Sequence, residues 1–247
     1  MKISIITVCY NRAKTIANTV ESVLSQNYTD IEYIVVDGAS TDGTREIIEK
    51  YRDRISVYVS EPDSGLYNAL NKGIRLATGD AVGVLHSDDV FYSCDAVSAI
   101  ADAFLRHNPD MVYGDGIYVN PRSRRIVRNW VSGDFSPDKI RNGWLPLHTT
   151  VYIRRSLAER YGLYDESYRI AADSEFLLRY MLNPDINIYR LNRYIVSMGT
   201  GGVSTRLSKS IIKWREDFRS YKRHSINPYI ALPQKILSKL KQFIFKF

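Results

Sequence analysis

The chain has only two cysteines in 247 residues, Cys9 and Cys94, too few for a disulfide framework. It also lacks any uninterrupted apolar stretch of the roughly 18 residues that a membrane-spanning helix requires. The opening run Ile3-Ser4-Ile5-Ile6-Thr7 is halted by Tyr10-Asn11-Arg12 too soon for a secretory leader, so no secretion route is expected. Without that route the Asn27-Tyr28-Thr29 triplet carries no expectation of a glycan. Two nucleotide-binding signatures are missing as well: no Gly-x-Gly-x-x-Gly follows the first strand pattern, and no Gly-Lys-Ser/Thr closes a phosphate loop. The segment Gly199-Thr200-Gly201-Gly202-Val203-Ser204 is rich in glycine, but it comes late and after a strand pattern. It reads as a flexible loop or a mobile lid.

What is present suffices for a sizeable core. With 45% hydrophobic and 25% charged residues, one large domain or one domain with an appendage is expected. Lys and Arg number 34 against 27 Asp and Glu, and the net +7 suggests nucleic acid or an anionic membrane as partner. The excess is not spread evenly: 11 of the basic residues but only 2 of the acidic ones lie beyond Thr205. A nucleic-acid-binding domain carries its positive stripe on the folded body, which here is slightly acidic, so no nucleic-acid partner is expected. The division falls into a body over 1–205 and a basic helical tail over 206–247.

Within the body, Ile3, Ile5, Ile6 and Val8 form a β-branched run, and Ala13, Ile16, Ala17, Val20, Val23 and Leu24 recur at helical spacing. The same alternation repeats through strands at Ile31 to Val36, Ile55 to Val59 and Ala81 to Leu85, with helix faces at Ile47, Ile48 and Tyr51 and from Leu66 to Ala77. It predicts an α/β fold, a mostly parallel sheet flanked by helices. After a helix from Asp95 to Leu105, short strand patterns at Met111 to Tyr113, Ile117 to Val119 and Ile126 to Trp130 predict a smaller mixed or antiparallel extension. Two further strands are expected at Ile186 to Tyr189 and Tyr194 to Met198, after a helix marked by Phe176, Leu177 and Tyr180. Ligands of such sheets bind beyond the carboxyl ends of the strands, which directs attention to Thr7 to Asn11, Asp37 and His86-Ser87-Asp88-Asp89.

Asp88 and Asp89 are adjacent carboxylates at a strand end. They repel unless water or a cation intervenes, and oxygen ligands of this kind suit Mg²⁺ or Mn²⁺ with phosphate oxygens completing the shell. A solvated turn is the alternative. Lone histidines are more often satisfied core residues than ligands, and His148 lies in the otherwise apolar stretch Trp144 to Thr150. Strand alternation gives His86 less weight, because one residue's shift turns a side chain to the opposite face.

Five blocks stand in order: Ile5-Ile6-Thr7-Val8-Cys9-Tyr10-Asn11, Ser22-Val23-Leu24-Ser25-Gln26, Tyr33 to Thr44 with Asp37-Gly38-Ala39-Ser40-Thr41-Asp42-Gly43 at its centre, Asn71-Lys72-Gly73-Ile74, and Ser87-Asp88-Asp89. Together they resemble the signature of family 2 glycosyltransferases with the GT-A fold, most closely bacterial enzymes of exopolysaccharide, capsule and lipopolysaccharide biosynthesis. The resemblance implies an inverting, metal-dependent hexosyltransferase that takes a UDP-sugar as donor and a lipid-linked or oligosaccharide chain as acceptor. Carried over, it places Val8 and Tyr10 about the base with Thr7 nearby, Asp37 on the uracil or ribose, Asn71 and Lys72 near the nucleotide, Asp88 on the ribose or sugar, and Asp89 on the metal, Mn²⁺ or Mg²⁺. His148 is then a contact to acceptor or diphosphate.

The same resemblance makes Asp173 in Arg169-Ile170-Ala171-Ala172-Asp173-Ser174-Glu175-Phe176 the general base. Ala172 stands where the family commonly has Glu, which leaves Glu175 as an alternative base. Positions 173 and 175 point about 200° apart on a helix, so only one can face a cleft. An N-cap is the structural alternative for Asp173. A sugar-nucleotide pyrophosphorylase would need a Gly-rich basic loop where Cys9-Tyr10-Asn11-Arg12 stands, and a catalytically inactive scaffold of a polysaccharide assembly is the other rival.

In the tail, Ile236, Leu237, Leu240, Phe243, Ile244 and Phe247 form one helical stripe, with Lys235, Lys239, Lys241 and Lys246 elsewhere on the helix. An amphipathic basic helix of this kind suits an anionic membrane interface, which places the protein in the cytoplasm, peripheral at the inner face of the membrane. Upstream, Ile211, Trp214, Phe218 and Tyr221 make a second stripe, expected to dock on the body. The oligomeric state is not legible.

Overall fold

The computed structural model describes residues 1–120, 122–199 and 207–244. Its first half alternates as the apolar periods demand: β1 (Ile3–Cys9), α1 (Ile16–Leu24), β2 (Ile31–Asp37), α2 (Thr44–Glu49), β3 (Val57–Ser60), α3 (Leu66–Leu76) and β4 (Ala81–Val84). β2 and β4 flank β1 and β3 lies outside β2, all parallel. Every residue of β1 is buried because helices cover both faces. Ile6, Val8, Ile34 and Val36 pack with Leu70 and Ile74 of α3, while Ile3, Ile5 and Val35 pack with Ile16 and Val20 of α1.

The second half contributes β5 (Asp89–Phe91), α4 (Ala96–His107), β6 (Met111–Val119), β7 (Ile126–Trp130), α5 (Pro137–Arg141), β8 (Tyr152–Arg154), α6 (Arg155–Tyr161), α7 (Ala172–Met181) and β9 (Ile188–Gly199), and the chain ends in α8 (Leu207–Arg223) and α9 (Pro228–Ile244). The strand order is β3-β2-β1-β4-β8-β6-β9-β5, with β7 on β6. β8 joins β4 antiparallel, and β6 and β9 run parallel to each other, so the extension is mixed as expected.

Two strand readings are corrected. Met111 to Tyr113 and Ile117 to Val119 are one strand, β6, and the pattern's last two strands likewise merge into β9. The apparent break at Gly114-Asp115-Gly116 comes from close packing. A Cβ on Gly114 would lie 2.6 Å from Ile195 Cγ1 and 2.9 Å from the Arg193 carbonyl oxygen, and one on Gly116 would collide with Leu147. Between the Tyr113/Arg190 and Asp115/Tyr194 pairs the register jumps, so residues 191–193 bulge opposite Gly114.

The helices of the tail share the body's core: Tyr221, Ala231 and Leu232 belong to one apolar cluster with Phe176, Leu178 and Tyr180 of α7. The expected stripe on α8 docks only in part. Tyr221 is buried, but Ile211 and Trp214 are exposed, and the inward edge instead carries Glu216, Asp217 and Ser220. Lys235 is likewise drawn inward, its ammonium 3.0 Å from Asp217 Oδ1 and 3.3 Å from Ser174 Oγ. Among the described residues no helix is long and apolar enough to cross a membrane. The expected lid lies outside the described residues apart from Gly199, and the tail stripe from Leu240 onward lies beyond the described side chains.

Candidate active site

The loops leaving β1 and β2 are fastened together by short polar side chains. Asn11 N–H donates to Ser40 Oγ at 2.8 Å, Thr41 N–H to Asn11 Oδ1 at 2.9 Å, Arg12 N–H to Thr44 Oγ1 at 2.7 Å and Ala13 N–H to Asp42 Oδ2 at 3.1 Å. The Ser40-Thr41-Asp42-Gly43-Thr44 block is thus a cross-link that satisfies backbone donors at the mouth of the sheet. Asp37 is at its root, fully buried. It accepts from Ser40 N–H at 2.9 Å, from Ser60 Oγ at 2.7 Å and from the Ser40 hydroxyl, with Cys9 Sγ at 3.5 Å. Its oxygens thus already take contacts from Ser40 of the loop and from Ser60 and Cys9 of the neighbouring strands.

Three other expected site residues also have partners within the protein. Thr7 is fully buried with its hydroxyl on Tyr33 at 3.1 Å. Asn71 donates to the Tyr164 carbonyl at 2.9 Å and to Glu166 Oε1 at 2.8 Å and accepts from Tyr164 N–H at 3.0 Å, so it holds the segment that leads into α7. Lys72 pairs with Glu61 at 2.7 Å and donates to the Pro62 carbonyl. Tyr10, by contrast, is 60% exposed at the end of β1, beside buried Val8. Its ring borders the space over Gly38, which Asp63 Oδ2 overhangs so closely that a Cβ on Gly38 would lie 2.5 Å from it. Asp63 is a carboxylate that the strand-end rule passed over, because it sits in the loop before α3.

Asp89 is held from three sides. The Thr19 hydroxyl of α1 donates to its carbonyl at 2.8 Å, its own N–H bonds the His86 carbonyl at 3.0 Å, and Gly199 N–H at the end of β9 donates to its Oδ1 at 3.3 Å. The Ser22-to-Gln26 block secures the stretch from Phe91 to Val97: Phe91 N–H donates to Ser22 Oγ at 3.3 Å, and the Gln26 amide bridges Ser93 O and Val97 N–H. Burial, reinforced by the neighbouring Asp88 charge, pushes the Asp89 carboxyl well above the usual carboxylate range. Its Oδ2 is buried without a hydrogen-bond partner. A buried carboxylate beside a like charge, with one oxygen unfilled, is what a divalent cation compensates. Among the described residues no group of three or more His, Cys, Asp or Glu surrounds a common point. The residues therefore fit a cation held by Asp89 with substrate phosphate oxygens, and do not form an all-protein cage.

Across the sheet, α7 begins with Ala171 as its N-cap, so Asp173 sits in the first turn and is not the cap. Its Oδ1 is buried without a partner. The Asp173 charge acts on Tyr67, His86, His148 and Tyr164, and the Tyr118 phenol is within electrostatic reach of both Asp89 and Asp173. Both carboxylates thus act on the same phenol, Tyr118. Glu175 takes the opposite face, fully buried against Arg179 at 3.0 Å and His224 at 3.3 Å. Burial would raise its pKa, but the bonds from His224 and Arg179 outweigh it and hold the carboxyl below the usual range. Its environment is that of an ion pair turned away from the cleft.

His148 Nε2 lies 2.6 Å from the Tyr164 hydroxyl, and the imidazole stacks on His86 at 5.9 Å. Burial, aided by the His86 charge and opposed by Asp173, brings His148 down to about 4. His86 also falls, through burial, against the pull of Asp88 and Asp173. Strand alternation gave His86 little weight, yet β4 ends at Val84 and the turn aims the ring at His148.

A mixed α/β sheet with an acidic turn after its fourth strand and a carboxylate-bearing helix across from it defines a GT-A glycosyltransferase. The sequence profile described as Glycosyl transferase family 2 matches residues 4–166, and the chain belongs to that family. Asp173 and the helices beyond it lie outside the matched segment. The chain is similar to a PGL/p-HBAD biosynthesis glycosyltransferase of Mycobacterium tuberculosis, 31% identical over 216 residues, covering 85% of this chain and 82% of the relative. It is 28% identical over 250 residues to the hyaluronan synthase of Pasteurella multocida, covering 98% of this chain and 25% of that one. Among solved structures, S. aureus TarS 1-349 in complex with UDP-GlcNAc superposes with a TM-score of 0.70 at 20% identity, covering 100% of this chain and 74% of that chain. The mannosyltransferase PcManGT of Pyrobaculum calidifontis, in complex with GDP-Man and Mn²⁺, gives 0.65 at 17% identity, covering 96% and 73%.

Proposed function

We propose that this glycosyltransferase moves a hexose or N-acetylhexosamine, with inversion, from a UDP-sugar to a lipid-linked or oligosaccharide acceptor in cell-surface polysaccharide biosynthesis. The observation that carries this reading is the pair of buried, unpartnered oxygens, Asp89 Oδ2 and Asp173 Oδ1, on different elements whose charges both act on the Tyr118 phenol. One suits the donor's diphosphate end and the other suits a base.

The base slot is bordered by Val8 and exposed Tyr10, whose ring can stack on uracil. Asp37 orders the loop beneath it, and Asp63 offers a carboxylate over Gly38. Asp88 takes the ribose or sugar. A Mn²⁺ or Mg²⁺ held by Asp89 would screen the charge of the departing diphosphate. Asp173 accepts the proton of the acceptor hydroxyl as that oxygen forms its bond to the anomeric carbon and the bond to UDP breaks on the opposite face. His148 is neutral at pH 7, so its contact to acceptor or diphosphate is a hydrogen bond from an imidazole fixed by Tyr164.

The membrane reading draws on exposed Ile236 and Leu237 on α9 and on the basic excess beyond Thr205. In it the protein is cytoplasmic and peripheral at the inner membrane face. The TarS and PcManGT complexes support a nucleotide-sugar donor and a divalent metal. A panel of nucleotide sugars, scored by UDP release with and without Mn²⁺, tests the proposal. Release from one UDP-sugar that depends on metal and rises with a glycan acceptor is expected, whereas release from none of the UDP-sugars contradicts it.

A further inference from the structure

The segment that enters α7 is held from a distance. Ala171, its N-cap, has a methyl side chain that cannot accept a hydrogen bond. The carboxylate of Glu216, buried on α8, instead accepts three successive backbone N–H groups that lead up to the helix and include its N-cap: Arg169 at 2.7 Å on Oε1, and Ile170 and Ala171, each at 2.9 Å, on Oε2. The Tyr67 hydroxyl lies at the next two N–H groups, those of Ala172 and Asp173. Donors that a helix start usually leaves to its own side chains or to water are thus met here by α8 and α3. A negative group at this end also opposes the positive pole of the helix.

Two further contacts from the same C-terminal helices grip the first two turns of α7. His224 reaches Glu175 at 3.3 Å, and Lys235 reaches Ser174 Oγ at 3.3 Å. Asp173 lies between these anchors, two residues beyond the last N–H held by Glu216. The direction of its carboxylate is therefore set by where α8 places the end of α7.

We infer that Glu216 is a positioning residue for transfer: it fixes the start of α7 so that Asp173 meets the acceptor hydroxyl. This inference rests on the reading of Asp173 as the base. It makes the C-terminal helices part of the catalytic apparatus, in addition to any role at a membrane.

Misplacing a reacting group by about 1 Å can cost on the order of 100-fold in rate. Glu216→Gln keeps the side-chain length but replaces one acceptor oxygen with an NH₂ that opposes the backbone donors. The expected result is a fall of roughly 10- to 100-fold in kcat per UDP-binding site, with donor KM and UDP affinity within about 2-fold of wild type. Glu216→Asp, which keeps the carboxylate, recovers part of that loss. It is also the variant to read in the same way if Glu216→Gln does not fold.

A purely structural role would lower the number of UDP-binding sites and leave kcat per site unchanged, and that result overturns the inference. Asp173→Asn run alongside separates the two claims. If Asp173→Asn is inactive and Glu216→Gln transfers at the wild-type rate per site, the positioning role alone fails. If Asp173→Asn transfers normally, the base assignment fails and the positioning role fails with it.

Discussion

The backbone N–H of Gly199 donates to Asp89 Oδ1 across 3.3 Å, joining positions 110 residues apart. β9 therefore holds one oxygen of this carboxylate while the other, Oδ2, stays buried and unfilled. In the proposed function Asp89 holds the divalent cation at the donor diphosphate, and replacing it with Ala removes that ligand. Calorimetric titration with UDP in the presence of Mn²⁺ should show affinity reduced on the order of 100-fold or more, with wild-type and variant equal when the metal is chelated. Undiminished metal-dependent binding would remove Asp89 from the site.

His148 provides a pH test. Its folded pKa is about 4, below the usual histidine value, so it refuses a proton that the unfolded chain takes up. Its contribution to stability is present above the unfolded value near 6.5 and is lost as pH falls toward 4. Between pH 6 and 8 the native imidazole stays neutral. The kcat profile of His148→Asn should keep the wild-type shape in that range at a level about 10-fold lower, in line with one lost hydrogen bond. A wild-type limb near pH 6.5 that vanishes in the variant would contradict this.

At the opposite end of the sheet, Glu32 is buried among Ser4, Thr78 and Lys2. Burial would raise its pKa, but the hydrogen bonds from Ser4 and Thr78, with help from Lys2, outweigh it and lower the carboxyl to about 2. Its stabilisation is fully present above about pH 4.5 and is lost as pH falls through about 2. Glu32→Gln should destabilise the fold by about 2 kcal/mol at pH 7 after allowance for screening by water. Urea unfolding of both proteins at several pH values should show the gap closing below pH 4.5. A constant gap would mean that the loss comes from packing.

The membrane proposal must be tested with Lys235 kept in place, because Lys235 pairs with Asp217 inside the protein. The paired substitution Ile236→Ser and Leu237→Ser removes two exposed apolar side chains of α9 and leaves that ion pair intact. The variant should lose most of its flotation with anionic vesicles and keep its rate of donor hydrolysis in solution. Unchanged flotation would count against a membrane role for this face.

The parallel half of the sheet was legible because buried β-branched runs and helical periods alternate without interruption through Leu85. The signature blocks fall on β1, β2, α1, α3 and the turn after β4, but the roles of individual side chains were harder to read. Asp37 ends β2, Thr7 lies within β1 and Asn71 in the middle of α3, and their polar atoms are taken by Ser40 and Ser60, Tyr33, and Tyr164 and Glu166. Spacing along the chain places a residue near a cleft without showing which hydrogen bonds it has already made. Strand continuity in β6 was hidden by Gly114 and Gly116, which punctuate a sequence pattern while serving close packing. Glu216 had no local signal, since its partners are three backbone N–H groups more than 40 residues away. The choice between Asp173 and Glu175, open on helix geometry alone, turns on the ion pair that Arg179 makes with Glu175 and the hydrogen-bond contact that His224 makes with it.

The most direct test of the central claim is transfer by Asp173→Asn, measured in parallel with UDP binding. The substitution keeps the size of the side chain and removes its capacity to accept a proton. The account predicts UDP affinity within about 2-fold of wild type and a loss of transfer of roughly 100-fold or more, the scale of general base catalysis. Transfer at a near-normal rate with intact UDP binding would contradict it.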